Sequence, residues 1–241
     1  MKTTPNLPPH SAPSLFLGDL FRSELATAED LSRTQTTRLK LIVAATDIIQ
    51  NQGYAELTVA RVAKAAGFAH GTFYLHWADR TAVALDVIRA LMEAIRKHRP
   101  PPVPGITFFD RLVDQHRFYI SMYRQNAGLM QCQWQLADQD PTFGRVAIEA
   151  NLALARRSLK AAQREGAAAS PSEKDTLATI LSCIAMVDKL LHDVCWRKLD
   201  PGLDDDALAR NLSTTWYRAI FARDPVPPEA VAVRRAVRRP R

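Results

Sequence analysis

Leu57-Thr58-Val59-Ala60-Arg61-Val62-Ala63-Lys64-Ala65-Ala66-Gly67-Phe68-Ala69-His70-Gly71-Thr72-Phe73-Tyr74-Leu75-His76-Trp77-Ala78-Asp79-Arg80 is the stretch from which the architecture of this chain is read. Thr58 stands where a hydroxyl accepts a hydrogen bond from a free amide of a first helical turn, which predicts an N-cap. Val59, Val62, Ala63 and Ala66 then recur at helical spacing, the inward face of a short helix that Gly67 breaks. After the turn Gly67-Phe68-Ala69, a second short helix is expected from His70 to about His76, with Phe73 turned inward beside Phe68. Two short helices joined by a tight glycine turn predict a helix-turn-helix unit. Val62, Phe68, Phe73 and Trp77 are its expected core, since so small a unit needs large side chains to hold its angle.

Working outward, Leu41, Ala44, Ala45, Ile48 and Ile49 repeat at three and four residues, predicting a helix from Arg38 that Gly53 stops. Asp79 caps a helix expected over Arg80 to about His98. Pro100-Pro101-Pro102-Val103-Pro104-Gly105 ends it, because proline lacks the amide a helix needs, and marks the clearest internal boundary. Residues 1–32, with Pro5, Pro8, Pro9 and Pro13, are expected to form a flexible arm. Its apolar patch Leu15, Phe16, Leu17, Leu20 and Phe21 either docks on the body or has no partner. Beyond residue 105 no strand-like alternation occurs. Asp140-Pro141 opens a helix that Gly166 closes. Ser170-Pro171-Ser172-Glu173 has the form of a capping box for a helix over 171–199. Asp200-Pro201-Gly202 stops that helix, and Asp204, Asp205 and Asp206 favour the N-terminus of a last one over 204–221. The expected fold is all-α, in four parts: an arm (1–32), a helix-turn-helix domain (33–80), a helical domain (81–224) and a tail (225–241).

The composition fits this. Among 241 residues, 47% are hydrophobic and 24% charged, enough to bury an apolar core without disulfides or metals. Cys132, Cys183 and Cys195 are odd in number and lack CxxC spacing, which suggests neither a disulfide framework nor a zinc ribbon; a reducing, cytoplasmic setting is expected. No apolar run approaches the roughly 18 residues of a membrane span. The start MKTTPNLPPH lacks the basic-then-apolar order of a signal peptide. Of the net charge of +7, the segment 33–80 contributes +3. The tail, with Arg234, Arg235, Arg238, Arg239 and Arg241 against Glu229, contributes +4 and is either a solvated end or an arm for DNA phosphates.

The quoted stretch, with Ala44-Ala45 and Gly53-Tyr54 before it, closely resembles the DNA-binding region of TetR-family transcriptional regulators over about residues 36 to 85. The shared features are the threonine-capped helix, the Ala-Gly-apolar turn, Gly-Thr-aromatic-Tyr, then His and an aromatic, then a basic residue opening the next helix. The resemblance implies that Thr72 and Tyr74 contact phosphates or bases, that His76 and Thr58 contact phosphates, and that Arg80 takes the place of the usual lysine. Ala69 and Val59 depart from the pattern, each lacking a hydroxyl that is common there. On chemistry alone, Gly71 permits close approach of backbone to DNA, His70 is the candidate for reading a base edge, and Arg38, Arg61 and Lys64 add positive charge. Tyr74 as packing and His76 as a satisfied surface histidine stay open beside these roles.

The resemblance also implies that the later helices hold a small effector and form a homodimer through the last two long helices, here 171–199 and 204–221. Leu177, Ile180, Leu181, Ile184, Val187 and Leu191 would supply one interface stripe, and Leu208, Leu212 and Trp216 the other. Phe109, His116, Tyr119, Tyr123, Met130, Trp134 and Phe143 offer an aromatic and sulfur surface suited to an apolar ligand. Such stripes are core more often than pocket or interface, and His116 reads first as a satisfied core histidine. The expected partners are a double-stranded, near-palindromic operator and a small-molecule effector, with repression the commoner outcome, no cofactor and no membrane. A helical protein-interaction module is the second function class. No GxSxG, HExxH or Walker loop points to an enzyme. Asp188, His192 and Cys195, on one helix face, have a spacing that suits a metal, which makes a metal-dependent helical enzyme using His192 and Cys195 the last of the alternatives.

Overall fold

Capping chemistry sets most of the helix boundaries in the computed structural model, which describes residues 14–28, 30–101, 103–166 and 172–222. Those residues form ten α-helices, one 3-10 turn and no strand, so the fold is all-α with a helix-turn-helix near its N-terminus. Ser32 opens the first long helix: its Oγ accepts from Gln35 N at 3.2 Å, and Gln35 Oε1 accepts from Ser32 N at 2.9 Å. That reciprocal pair starts the helix at Arg33 rather than Arg38. No described helix is long and apolar enough to cross a membrane.

Two compact units result, one of residues 1–97 with 125–133, the other of residues 98–124 with 134–241. The first holds α1 (Leu17–Thr27), α2 (Arg33–Gln52), the turn Tyr54–Glu56, α3 (Val59–Ala66), α4 (His70–Phe73) and α5 (Arg80–His98) as far as Lys97. Leu41, Ala45, Ile49, Leu57, Val62 and Phe73 are its fully buried centre. Helix α5, expected to open the second domain, is tied into this unit. Asp79 Oδ1 caps it by accepting from Ala82 N at 2.8 Å, Tyr54 Oη lies 3.1 Å from Thr81 Oγ1, and Trp77 Nε1 donates to Asp86 at 2.9 Å. The boundary therefore falls after Lys97, not at residue 80.

The expected flexible arm is also corrected. Residues 17–27 are a helix that packs on α2, and its entry is fixed by side chains distant in sequence. Asn126 is fully buried; its Oδ1 accepts from Leu17 N at 3.0 Å and its Nδ2 donates to Leu15 O at 2.9 Å. Gln125 Oε1 accepts from Leu15 N at 2.8 Å, and Gln50 Oε1 from Gly128 N at 3.1 Å. Gly128 sits so close to α2 that a Cβ there would lie 2.4 Å from Gln50 O, which only glycine avoids. Residues 1–13 of the arm lie outside the described residues.

The second unit contains α6 (Phe108–Gln125) up to Arg124, α7 (Ala127–Gln139) from Trp134, α8 (Pro141–Arg164), α9 (Glu173–Cys195) and α10 (Asp205–Phe221). Asp140 caps α8 through Thr142 N and Phe143 N at 2.8 and 3.0 Å, with Pro141 at the first position as read. The cap of α9 is Ser172, accepting from Asp175 N at 3.1 Å; Ser170 lies outside the described residues. This helix ends at Cys195 rather than Leu199, and Lys198 turns the chain with φ 62°. Asp204 caps α10, while Asp205 and Asp206 bind Arg124 and Arg117 of α6, whose Nε atoms donate at 2.7 and 2.6 Å. The tail, residues 225–241, lies outside the described residues.

Candidate nucleic-acid interface

Thr58 caps α3 as expected, its Oγ1 accepting from Arg61 N at 3.2 Å. Gly67 ends that helix in the left-handed region, φ 77°, where a side chain would be strained, and Phe68 N reaches back to Ala63 O at 2.9 Å. The chain leaves this turn at the angle that starts α4. Helix α4 is one turn, shorter than the expected 70–76, and continues as turns in which His76 N and Trp77 N both donate to Phe73 O. Phe73 and Trp77 are buried, with ring centroids 5.6 Å apart, and pin the segment at both ends. His70, Gly71, Tyr74 and Leu75 are exposed; Thr72 and His76 are half-buried. Tyr74 is 52% exposed and meets His70 edge-on at 5.3 Å, so it is a surface ring and not packing.

The cations read as DNA contacts divide into two sets. Lys64 is exposed on α3. Arg38 instead donates to Asp86 at 2.6 Å and lies 4.9 Å over the Trp77 ring; Arg80 lies 5.1 Å over Tyr54; Arg61 is bonded to Glu56 and Gln52. Arg38 and Arg80 thus brace the rings that shape the reader, and Asp86 joins Arg38 to Trp77 in one network. Asp86 was missed from sequence; its signal was a lone acid nine residues after a tryptophan whose indole needs an acceptor. Partial burial, with the charge of Arg38, lowers the His76 pKa below the ordinary value of 6.5. At neutral pH His76 is therefore uncharged, a hydrogen-bonding group rather than a cation.

In the second unit the residues read as a ligand surface have partners within the chain. His116 Nδ1 lies 2.8 Å from Ser213 Oγ, whose own proton goes to Ala209 O at 2.7 Å, so the histidine is the donor and its Nδ1 carries the hydrogen. Burial pushes its pKa down to about 4. Tyr119 Oη donates to Asp188 Oδ1 at 2.7 Å, and burial pushes that acid up to about 6. Tyr123 is 5.2 Å from Tyr119, Phe109 is 5.9 Å from Tyr217, and Phe143 is buried. Met130 falls in the first unit, so it does not join this set. A groove of about 380 Å³ opens in the first unit, lined by Arg22, Leu25, Lys40, Val43, Asp47 and Asn51 among others, none of them anticipated.

Two further expectations change. Ile180, Ile184, Leu208, Leu212 and Trp216 are buried within one chain, as are Val187 and Leu191, so they build the core between α9 and α10 instead of an interface. Leu177 and Leu181 are half-buried; the outer faces carry Ala178, Ser182, Ala185 and Met186 on α9 and Thr215, Arg218 and Ala219 on α10. The metal-like spacing gathers nothing: Asp188 is bonded by Tyr119, and His192 stacks on Trp134 at 4.9 Å. Among the described residues no three His, Cys, Asp or Glu side chains converge to hold a metal ion.

Residues 41–87 match the family model described as bacterial regulatory proteins, tetR family. The chain is similar to the solved structure of a TetR-like transcriptional regulator from Rhodococcus sp. RHA1, with a TM-score of 0.59 at 15% identity, covering 80% of this chain and 100% of that one. It is similar to the fatty acid degradation regulator FadR from Bacillus halodurans, with a TM-score of 0.58 at 16% identity, covering 78% and 96%. A putative transcriptional regulator from Pseudomonas aeruginosa PAO1 aligns with a TM-score of 0.59 at 19% identity, covering 83% and 96%. These likenesses show the fold. No curated protein sequence is significantly similar to the chain.

Proposed function

We infer from the chain's membership of the tetR family, carried by residues 41–87, that it is a ligand-responsive, sequence-specific DNA-binding repressor acting as a dimer. The observation that supports this most is the division of labour along residues 70–77. Phe73 and Trp77 are spent on the core, while His70, Gly71 and Tyr74 are left facing solvent on one rigid turn. Beyond its own turn and chain neighbours, Gly71 has nothing within 4 Å of where a Cβ would sit, so the backbone is open to a phosphate or a base edge. Such a turn in a dimer places two readers in successive major grooves, which calls for a near-palindromic operator. The subunits meet on the outer faces of α9 and α10, where small side chains let helices approach closely.

An effector held in the second unit, among Phe109, His116, Tyr119, Tyr123, Trp134 and Phe143, changes the spacing of the readers. Its motion reaches the first unit along the chain itself, through α5 and through residues 125–133. It acts only if it prefers the spacing that does not fit the operator, so operator DNA weakens effector affinity by the same factor.

Fluorescence anisotropy of the full chain on DNA flanking its own gene, at two salt concentrations and with excess nonspecific competitor, tests the reading. A saturable, competitor-resistant complex of two chains per site is expected. Tyr74→Ala and His76→Ala each weaken it roughly tenfold per half-site, the loss of about one good contact in each, with the dimer intact. Unchanged affinity in both variants would sink the assignment of the reader.

A further inference from the structure

Leu75 is 80% exposed, more than any other large apolar side chain among the described residues, and it stands in the middle of the DNA-reading turn. It follows Phe73 by two residues, which places it across the turn from the buried Phe73 and Trp77. Those two anchors hold the backbone on either side of it, and Leu75 N donates to Thr72 O at 3.3 Å, so the leucine is presented by a fixed turn. Gly71 shares its exposed face and has no side chain, and Tyr74 stands beside it. The leucine is therefore the apolar tip of the face that reads the operator.

A leucine neither donates nor accepts a hydrogen bond, so it reads no polar group of a base edge and binds no phosphate. The major groove offers one apolar feature that differs between bases, the C5-methyl group of thymine. The setting favours DNA over an apolar protein partner, because residues 33–80 carry a net +3 and Lys64 lies exposed on α3, the other helix of the motif.

We propose that Leu75 is a specificity-determining residue that packs on a thymine methyl in the operator half-site. The proposal rests on the regulator reading above and adds to it the base that this side chain selects. Its worth is one buried methyl group, about fourfold in affinity per half-site.

The test starts from duplexes selected by the purified full chain out of a random-sequence library. Each thymine of the selected site is replaced in turn by deoxyuridine, which keeps every hydrogen-bonding group and deletes only the methyl. Wild type is expected to lose about fourfold at one symmetry-related pair of positions. Leu75→Ala removes the contact in both half-sites, so it binds the thymine site roughly sixteenfold more weakly, and it no longer distinguishes thymine from deoxyuridine at that pair, while keeping any discrimination elsewhere. Leu75→Gln, which keeps the bulk and loses the apolar tip, behaves the same way. Both substitutions are at an exposed position, and an unchanged thermal midpoint confirms the fold. A sequence enriched from the library with no such coupling, in which Leu75→Ala discriminates at every thymine as wild type does, overturns the proposal and leaves the regulator reading standing. So does a uniform loss on thymine and deoxyuridine sites alike, which returns Leu75 to contact with the sugar backbone or a protein. A library that yields no enriched sequence overturns the regulator reading and this one with it.

Discussion

His116 and Asp188 are buried in the same unit and respond to acid in opposite directions. The histidine has its folded pKa pushed down to about 4 from 6.5, so the stability it confers is complete above pH 6.5 and is lost as the pH falls toward 4. The carboxyl has its folded pKa pushed up to about 6 from 3.8, so stability is gained as the pH falls from 6 toward 3.8. Each amounts to about 3 kcal/mol at full titration, and over this window the two offset one another. Asp188→Asn, which keeps an acceptor for Tyr119, is expected to lose thermal stability between pH 7.5 and 4.5 more steeply than wild type. His116→Gln is expected to lose it less steeply. Melting curves of the three proteins at matched pH check this, and surface carboxylates cancel in the comparison. Parallel curves would mean that folding shifts neither pKa. Neither pairing was legible in sequence: a histidine on an apolar stripe announces that it needs a partner, but Ser213 lies 97 residues away.

At the scale of elements, what the sequence made legible was whatever neighbouring residues decide between themselves. The caps at Thr58, Asp79, Asp140 and Asp204 and the stop at Gly67 appear in place because each is a bond within three or four residues. Helix α1 was read as an arm because its docking depends on Gln125 and Asn126, more than a hundred residues on. Leu75 was given no role from the sequence; its phase against Phe73 and Trp77 was the signal available. Two predictions belong at this scale. Asp86→Ala leaves the Trp77 indole without its acceptor and frees Arg38. A destabilisation of about 1–3 kcal/mol in urea unfolding is expected, with weakened operator binding, since the turn between Phe73 and Trp77 loses its brace. Gly128→Ala drives a methyl against Gln50 O and Ile49 O, which belong to helix backbone and cannot swing aside. It should cost about 1–3 kcal/mol in the same measurement, and an unaltered midpoint would mean that residues 125–133 do not pack as described.

Across the whole molecule, periodicity finds a helix's apolar face but does not say whether its own chain or a second copy covers it. The stripe Ile180, Ile184, Leu208, Leu212, Trp216 resolves as core, which moves the proposed subunit contact to the opposite sides of α9 and α10. The two alternatives separate by experiment. Ala185→Arg, at an exposed position, should leave the thermal midpoint nearly unchanged and yield a monomer in sedimentation, with operator affinity lost through the missing second half-site. Ile184→Ala, in the core, should instead cost about 2–5 kcal/mol of stability. A dimer that persists in the Ala185 variant would place the contact on another face.

The corner at residues 125–133 also bears on how the protein is made. Gln50 leaves the ribosome 78 residues before Gly128, the residue whose amide it accepts. At about 5–20 residues per second, the end of α2 waits about 4–16 s for its partner to be synthesised, and the amides of Leu15 and Leu17, paired with Gln125 and Asn126, wait about 5–22 s. The reading turn is thus part of a unit that cannot close during translation until residues 125–133 have been made. A nascent N-terminal fragment, or a product truncated before the corner, would carry the whole DNA-reading motif on an unfinished support.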